Sequence, residues 1–461
     1  MTTRLLPVLD QIDTDLPDAL ERLSNLLRIP SISTDPAHKP DVDRAADWLV
    51  ADLASLGLSA RKDATAGHPM VVAKGGAEGG AHLLFYGHYD VQPADPLELW
   101  DSPPFEPRIE DTPNGKVIRA RGASDDKGQL MTFVEACRAW LKVHGELPVG
   151  LTFCLEGEEE SGSPSLVPYL EANRDALKAD IALICDTGLF DAQTPGITTM
   201  LRGLLGEEII IHGPTRDLHS GSFGGAAMNP ARVLTRILAD LHDDQGRVTV
   251  PGFYDDVPEI SDTLRAQWDA LGFDAAGFLG AVGLSEPAGE TGRTALEMIW
   301  ARPTCEINGM IAGYTGAGFK TVLPARASAK VSFRLVGQQD PHKLRAAFRE
   351  MVRAQLPADC RVEFIEHGAS PASVMETGHP AFEAARRALS EEWPNPAAFV
   401  GAGGSIPIAG YFKSILGMDS MLIGFAKDDD QIHSPNEKYD LDSFHRGIRS
   451  WARVLDAIAN A

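Results

Sequence analysis

Seven acidic and histidine residues of this chain stand in turn-forming motifs, most of them where an apolar run ends, and their types suit one kind of chemistry. They are His88 and Asp90 in YGHYDVQP, Asp125 in RGASDDKG, Glu159 and Glu160 in LEGEEESGS, Asp186 in LICDTG, and His433 in DQIHSPNE. Two divalent cations about 3.5 to 4 Å apart need hard or borderline nitrogen and oxygen ligands, and one carboxylate can bridge them while others cap each ion. Histidine, aspartate and glutamate suit zinc, with manganese or cobalt as alternatives. A centre of this make-up can stabilise the negative charge that develops on an attacked carbonyl.

Taken singly, each motif has a plainer reading. A histidine two residues from an aspartate is commonly a packed or surface pair. The Glu158–Glu160 run could be a solvated turn, and His433 an exposed loop histidine. The apolar context argues otherwise. The run His82–Tyr86 leads straight into His88, and Asp90 can orient its imidazole from behind. LTFCLE leads into the glutamates, and IALIC into Asp186, where a carboxylate is costly without a positive partner.

The elements that must position these residues are legible from periodicity. Helical spacing is expected over Leu16 to Leu27, over Arg44 to Leu56, and after Asp126, where Leu130, Phe133, Val134, Cys137 and Leu141 share a face. Strands are expected at Met70 to Ala73, His82 to Tyr86, Gly150 to Leu155 and Asp180 to Cys185. This alternation predicts an α/β/α sandwich with a mixed, mostly parallel sheet, which places ligands at strand ends. From Gly206 the pattern changes. GEEIIIHG, Glu306 to Tyr314, Ala327 to Val336 and Arg361 to Glu366 read as strands; Asn229-Pro230 opens a helix to about Leu241, and Pro341 to Leu356 is another. A small inserted α+β domain with an antiparallel sheet is expected at 206–372, between catalytic segments 1–205 and 373–461. The stretch from Asp243 to Arg302 reads as a helical and loop excursion, and a closing helix aligns Phe444, Ile448, Trp451, Leu455 and Ile458.

Composition narrows the class. The 461 residues exceed one ordinary core, and 44% hydrophobic with 23% charged residues is a globular balance. A formal net charge of −23 argues against nucleic acid as partner. No run of about 18 apolar residues predicts a membrane span, and the start carries no signal-peptide pattern. The five cysteines form no CxxC pair and read as free thiols of a cytoplasmic protein.

GHYDVQP, RGASDDKG, EGEEESGS, DLHSGSFGG, KTVLP, GGSIP and the late His433 together resemble the dimetal zinc aminoacylase, carboxypeptidase and dipeptidase superfamily, nearest its cytosolic nonspecific dipeptidase and carnosinase branch. The resemblance implies that Asp125 bridges two metals, with His88 and Asp186 completing one site and Glu160 and His433 the other. It implies Glu159 as general base, Asp90 as the carboxylate behind His88, and a cis bond between Asp125 and Asp126. It further implies a homodimer through the inserted domain, in which His219 reaches across to polarise the scissile carbonyl and Thr321 makes a similar contact. Arg334, Gly404 and Ser405 match positions that hold the substrate's terminal carboxylate, and His367 a further pocket residue. The implied reaction is hydrolysis of an amide bond next to a free carboxylate, with dipeptides as substrates. One departure stands out: where the branch commonly carries an acidic residue before GGSIP, this chain reads Val400, Gly401, Ala402. That leaves N-acyl amino acids as an alternative substrate class.

Overall fold

The computed structural model describes residues 3–77, 79–404 and 406–461. The chain forms two compact units. One comprises Met1–Thr199, Met375–Val400 and Tyr411–Ala461, the other Met200–Val374 and Gly401–Gly410.

In the first unit the strand His82–His88 lies between Gly150–Glu156 and Ile181–Ile184, with Asp419–Leu422 beyond, and these four pair in parallel. Outward from them the pairing turns antiparallel, through Met70–Gly76 and Ser59–Asp63 on one side and Gly196–Leu201 on the other. The sheet is therefore mixed, and its parallel character is confined to the four central strands rather than prevailing throughout. Those strands are almost continuously buried, as strands covered on both faces must be. The covering is visible in one strand. Phe85 stacks on Phe133 of the helix Lys127–His144 at 3.8 Å, while its neighbour Tyr86 meets Phe412 edge-on at 5.8 Å. Successive side chains of a strand point to opposite faces, so both faces carry a layer.

The closing helix Leu441–Ala459 buries Phe444, Ile448, Trp451, Leu455 and Ile458, and Trp451 packs edge-on to Phe133 at 5.1 Å. The first helix spans Leu5–Leu27, not only the expected segment from Leu16. Pro17 stands inside it, and the buried stripe Leu5, Val8, Leu9, Ile12, Ala19, Leu23 carries the helix across that position. A three-stranded sheet of Arg108–Thr112, Gly115–Arg119 and Lys438–Asp440 is not anticipated by the pattern. Its strands are short and two are half exposed, so they lack a strong alternation.

In the second unit, Gly203–His212 and Arg326–Leu335 are the inner strands of an antiparallel sheet flanked by Arg361–Ser370 and Thr304–Ala312. Alternate residues of the inner pair are buried, including Leu205, Ile209, Ile211, Ala329, Val331 and Phe333. They pack with Val233, Leu234 and Ile237 of the helix Pro230–Ala239 and with Leu344, Phe348 and Val352 of Pro341–Ala354. Asn229 and Asp340 cap these helices through their side chains, each followed by proline. Within 243–302 the chain forms three short helices, Asp262–Ala270, Ala275–Gly280 and Ala295–Trp300, joined by loops. No helix among the described residues is long and apolar enough to cross a membrane.

Candidate metal centre

Three adjacent parallel strands deliver most of the candidate ligands to one edge of the sheet. His88 ends its strand opposite Glu156, and Tyr86 lies opposite Ile184. The residues just after those partners, Glu159, Glu160 and Asp186, therefore emerge beside His88. A crevice at the carboxyl ends of parallel strands is where such sheets bind ligands. Asp125 arrives from the turn that opens the helix Lys127–His144. The Asp125–Asp126 peptide bond is cis. Asp126 fastens this turn to the sheet by accepting the backbone N–H of His88 at 3.1 Å.

Asp125 sits between two imidazoles, one on each oxygen: Oδ1 lies 3.1 Å from His88 Nε2, and Oδ2 lies 2.9 Å from His433 Nε2. Asp186 Oδ2 is 3.9 Å from His88 Nε2, and Glu160 Oε2 is 3.3 Å from His433 Nε2. Two donor sets result, His88 with Asp125 and Asp186, and Asp125 with Glu160 and His433, the ligand atoms within each set lying within 4.8 Å of one another. Asp90 is fully buried behind them. Its Oδ1 is 3.4 Å from His88 Nδ1, and its two oxygens accept the backbone N–H groups of Glu159 and Glu160 at 3.2 and 3.0 Å. Asp90 thus orients the histidine, its backbone carbonyl 3.1 Å from His88 Nδ1 with the carboxylate close behind, and the carboxylate fixes the turn bearing both glutamates.

The electrostatics are those of a site built for cations. Burial alone would raise Asp125, but its bonds to His433 and His88 hold it well below the usual carboxylate range. Burial would lower His88, yet its bonds to Asp125 and Asp90 hold it well above the usual imidazole range. His433 is raised to about 10 by its bonds to Asp125 and Glu160. Each imidazole thus turns a nitrogen toward these carboxylates, where a divalent cation would take the place of a proton. Asp186 is pushed well up by burial and by repulsion from Asp125 and Asp126. Glu159 is pushed up to about 7 by burial, with Glu160, Asp90 and Asp125 adding to the rise. Glu160 Oε1 is buried without a hydrogen-bond partner among the described residues. Orphaned oxygen, crowded carboxylates and borderline nitrogen donors all fit divalent metal. A third acidic group, Asp429, Asp430 and Asp440, differs: Lys438 Nζ bonds to all three at 2.8, 2.8 and 2.6 Å, so a lysine already supplies its cation.

Two contributors escape the sequence reading. Gln92 donates to Glu160 Oε2 at 2.8 Å, and Asp126 makes the bond to His88 described above. Their signals lie in DVQP and in the Asp-Asp doublet, beside Asp90 and Asp125.

The remaining candidates belong to the second unit. His219 is exposed at the end of a two-residue ladder with Val322–Leu323, and the N–H of Ser220 bonds to the carbonyl of Thr321 at 3.1 Å, so His219 and Thr321 are neighbours. His219 Nδ1 accepts the N–H of Gly221 at 3.0 Å, which leaves Nε2 as the protonated, donating nitrogen. Arg334 lies on the inner strand opposite Thr304 and Leu204 and makes no ion pair among the described residues. Nearby Arg202 is lowered to about 10, by burial first and then by the charge of Arg334. Arg202 donates to the carbonyls of Gly403 and Gly404 at 3.0 and 3.1 Å. His367 lies on an edge strand, 3.8 Å from Glu208. Ser405 lies outside the described residues.

Residues 84–457 match the family model for peptidase family M20/M25/M40. The chain is 32% identical to the Cys-Gly metallodipeptidase DUG1 of Candida albicans, over 98% of this chain and 96% of that protein. It is 30% identical to the human Beta-Ala-His dipeptidase, over 80% of this chain and 73% of that protein. Among solved structures it is similar to the M20 family metallo-carboxypeptidase Sso-CP2 of Sulfolobus solfataricus, with a TM-score of 0.82 and 32% identity, covering 96% of this chain and 99% of that one. The two-unit fold, the acidic and histidine ligand sets and these likenesses agree, and the chain belongs to peptidase family M20/M25/M40.

Proposed function

We propose that this protein hydrolyses dipeptides at a centre of two divalent cations, zinc foremost, with manganese or cobalt able to replace it. The observation that carries this reading is Asp125, whose two oxygens face two different histidines, each within its own donor set. His88, Asp125 and Asp186 would hold one cation, and Asp125, Glu160 and His433 the other. Bound there, divalent cations supply Lewis acidity and make water acidic enough to attack near neutral pH.

The chain's own residues do the rest. Glu159 takes the proton from the attacking water and returns it to the leaving amine, a role suited to a half-buried carboxyl beside other carboxylates. Asp90 keeps His88 and the Glu159–Glu160 turn in place. Arg334 anchors the terminal carboxylate by charge-assisted hydrogen bonds, which sets the register of the scissile bond. Among the described residues Arg334 makes no ion pair, which supports that role, and Gly404, Ser405 and His367 share in holding the substrate. His219 acts on the scissile carbonyl of a partner subunit in a homodimer, with Thr321 beside it, because Gly221 leaves its Nε2–H free to donate. The dipeptidase names of the relatives favour dipeptides over N-acyl amino acids. The five free cysteines support a cytoplasmic setting.

The test is hydrolysis of a dipeptide panel, Cys-Gly and β-Ala-His included, beside N-acetyl amino acids, before and after chelation. Dipeptide cleavage that disappears with chelation and returns with added zinc or manganese supports the reading. Full activity after exhaustive chelation, or cleavage of the acyl amino acids alone, overturns it.

A further inference from the structure

We infer that Glu437 is a positioning residue that locks the Asp125 turn to the His433 loop and thereby sets how tightly the centre holds metal. This rests on the two-cation reading above. Glu437 lies four residues after His433 and is fully buried. Both its oxygens are spent on the segment that carries Asp125. Oε1 accepts the backbone N–H groups of Ser124 and Asp125 at 2.9 and 3.0 Å, and Oε2 accepts the N–H of Gly122 and Arg121 Nη1 at 2.8 Å each. Four donors on one buried carboxylate make a rigid, directional joint, since ionised acceptors form the stronger hydrogen bonds. Arg121, itself 1% exposed, supplies the balancing charge.

A second clasp runs in parallel. Asp430, three residues before His433, accepts Ser124 Oγ at 2.7 Å with one oxygen and Lys438 Nζ at 2.8 Å with the other. The loop between these clasps includes Gln431, His433 and Asn436 in the left-handed region, at φ of 57°, 61° and 65°. Such a backbone persists only where its surroundings dictate it. His433 itself is half exposed, and the contacts that hold its ring are those to Asp125 and Glu160, the residues of its own donor set. Its placement therefore depends on what grips the loop at both ends, and both grips reach the same short turn. Asp125 stands in both donor sets, so a slip of this joint is felt at both cations.

The experiment compares apoprotein of the wild type and of Glu437→Gln by competition of zinc against a chromophoric chelator. The absorption spectrum of the cobalt-loaded forms is recorded alongside. The amide nitrogen introduced by Glu437→Gln would face a donor, either the Gly122 and Arg121 groups or the backbone N–H of Ser124 and Asp125. Metal affinity is expected to fall by about 10- to 100-fold, the usual consequence of losing a group behind a ligand, and the cobalt spectrum to change in shape. Wild-type affinity together with an unaltered spectrum overturns the inference. Wild-type apoprotein that takes up no metal overturns instead the reading on which it rests. Should Glu437→Gln fail to fold, Glu437→Asp keeps the charge but draws both oxygens back from the turn by one methylene; a measurably weaker zinc affinity supports the joint, and an unchanged affinity overturns it.

Discussion

The two units hold their candidate functional residues in opposite ways. In the first, His88, Asp125, Glu160 and Asp186 stand at the ends of buried strands or in the turn beside them, and two of them are oriented by other residues: Asp90 and Asp126 on His88, Gln92 on Glu160. In the second, His219 is exposed and oriented by one backbone N–H, and Thr321 and His367 are exposed as well. The difference teaches where precision is needed. A metal centre tolerates little misplacement of its ligands, and four of the five candidates are set at the rim of the folded core, His433 alone being held in an exposed loop. Groups that meet a substrate must remain accessible to it, and a lighter hold suffices.

This contrast can be broken or sharpened by substitution. The largest effect is expected for Asp125→Ala, which removes the one carboxylate common to both donor sets; bound metal and peptidase activity should both vanish, read by atomic absorption and by a dipeptide assay. Glu159→Ala should keep its metal and its melting temperature yet lose about 10²- to 10⁴-fold in turnover, the range for removal of a general base. Should turnover be unchanged, Glu159 has no part in the reaction. Arg334→Ala should leave metal content untouched and raise KM, since a hydrogen bond to a charged group contributes about 1.5 to 3 kcal/mol. Steady-state kinetics on a dipeptide and on its C-terminal amide would show it, for the amide should lose little further.

The smallest effect belongs to Gly221→Ala. A Cβ there would come within 2.9 Å of His219 Cε1, so the imidazole must turn from its present rotamer. Such a shift costs about 0.5 to 1.5 kcal/mol, and turnover should drop a few-fold with metal content and stability unchanged. A variant of the second unit that emptied the metal centre would erase the distinction drawn here.

Much of the first unit is readable before any coordinates. The run His82–Tyr86 and the run IALIC are short, apolar and bounded by turns, and both are central strands of the sheet. Their buried character makes the charged residues at their ends conspicuous. The first helix is harder. Pro17 reads as a boundary by local rules, yet the buried stripe from Leu5 to Leu27 runs through it. The sheet Arg108–Thr112, Gly115–Arg119 and Lys438–Asp440 is invisible for another reason: its third strand arrives from a distant part of the chain, and so short a segment carries no period.

His433 shows the limit most clearly. Its loop is polar, with no apolar strand running directly into it, and by spacing alone it is an ordinary surface histidine. What the sequence by itself determined is the set of chemically capable residues and the strands and turns that bear them. Those follow from local forces, chiefly hydrophobic periodicity and the cost of leaving a carboxylate at the end of a buried run. Only the tertiary structure decided which of them meet: that Asp125 offers one oxygen to His88 and the other to His433, and that Glu437 reaches back across the chain to hold the turn between them. Such contacts join segments far apart in the chain, and local pattern carries no information about a bond whose partner depends on the packing of the whole unit.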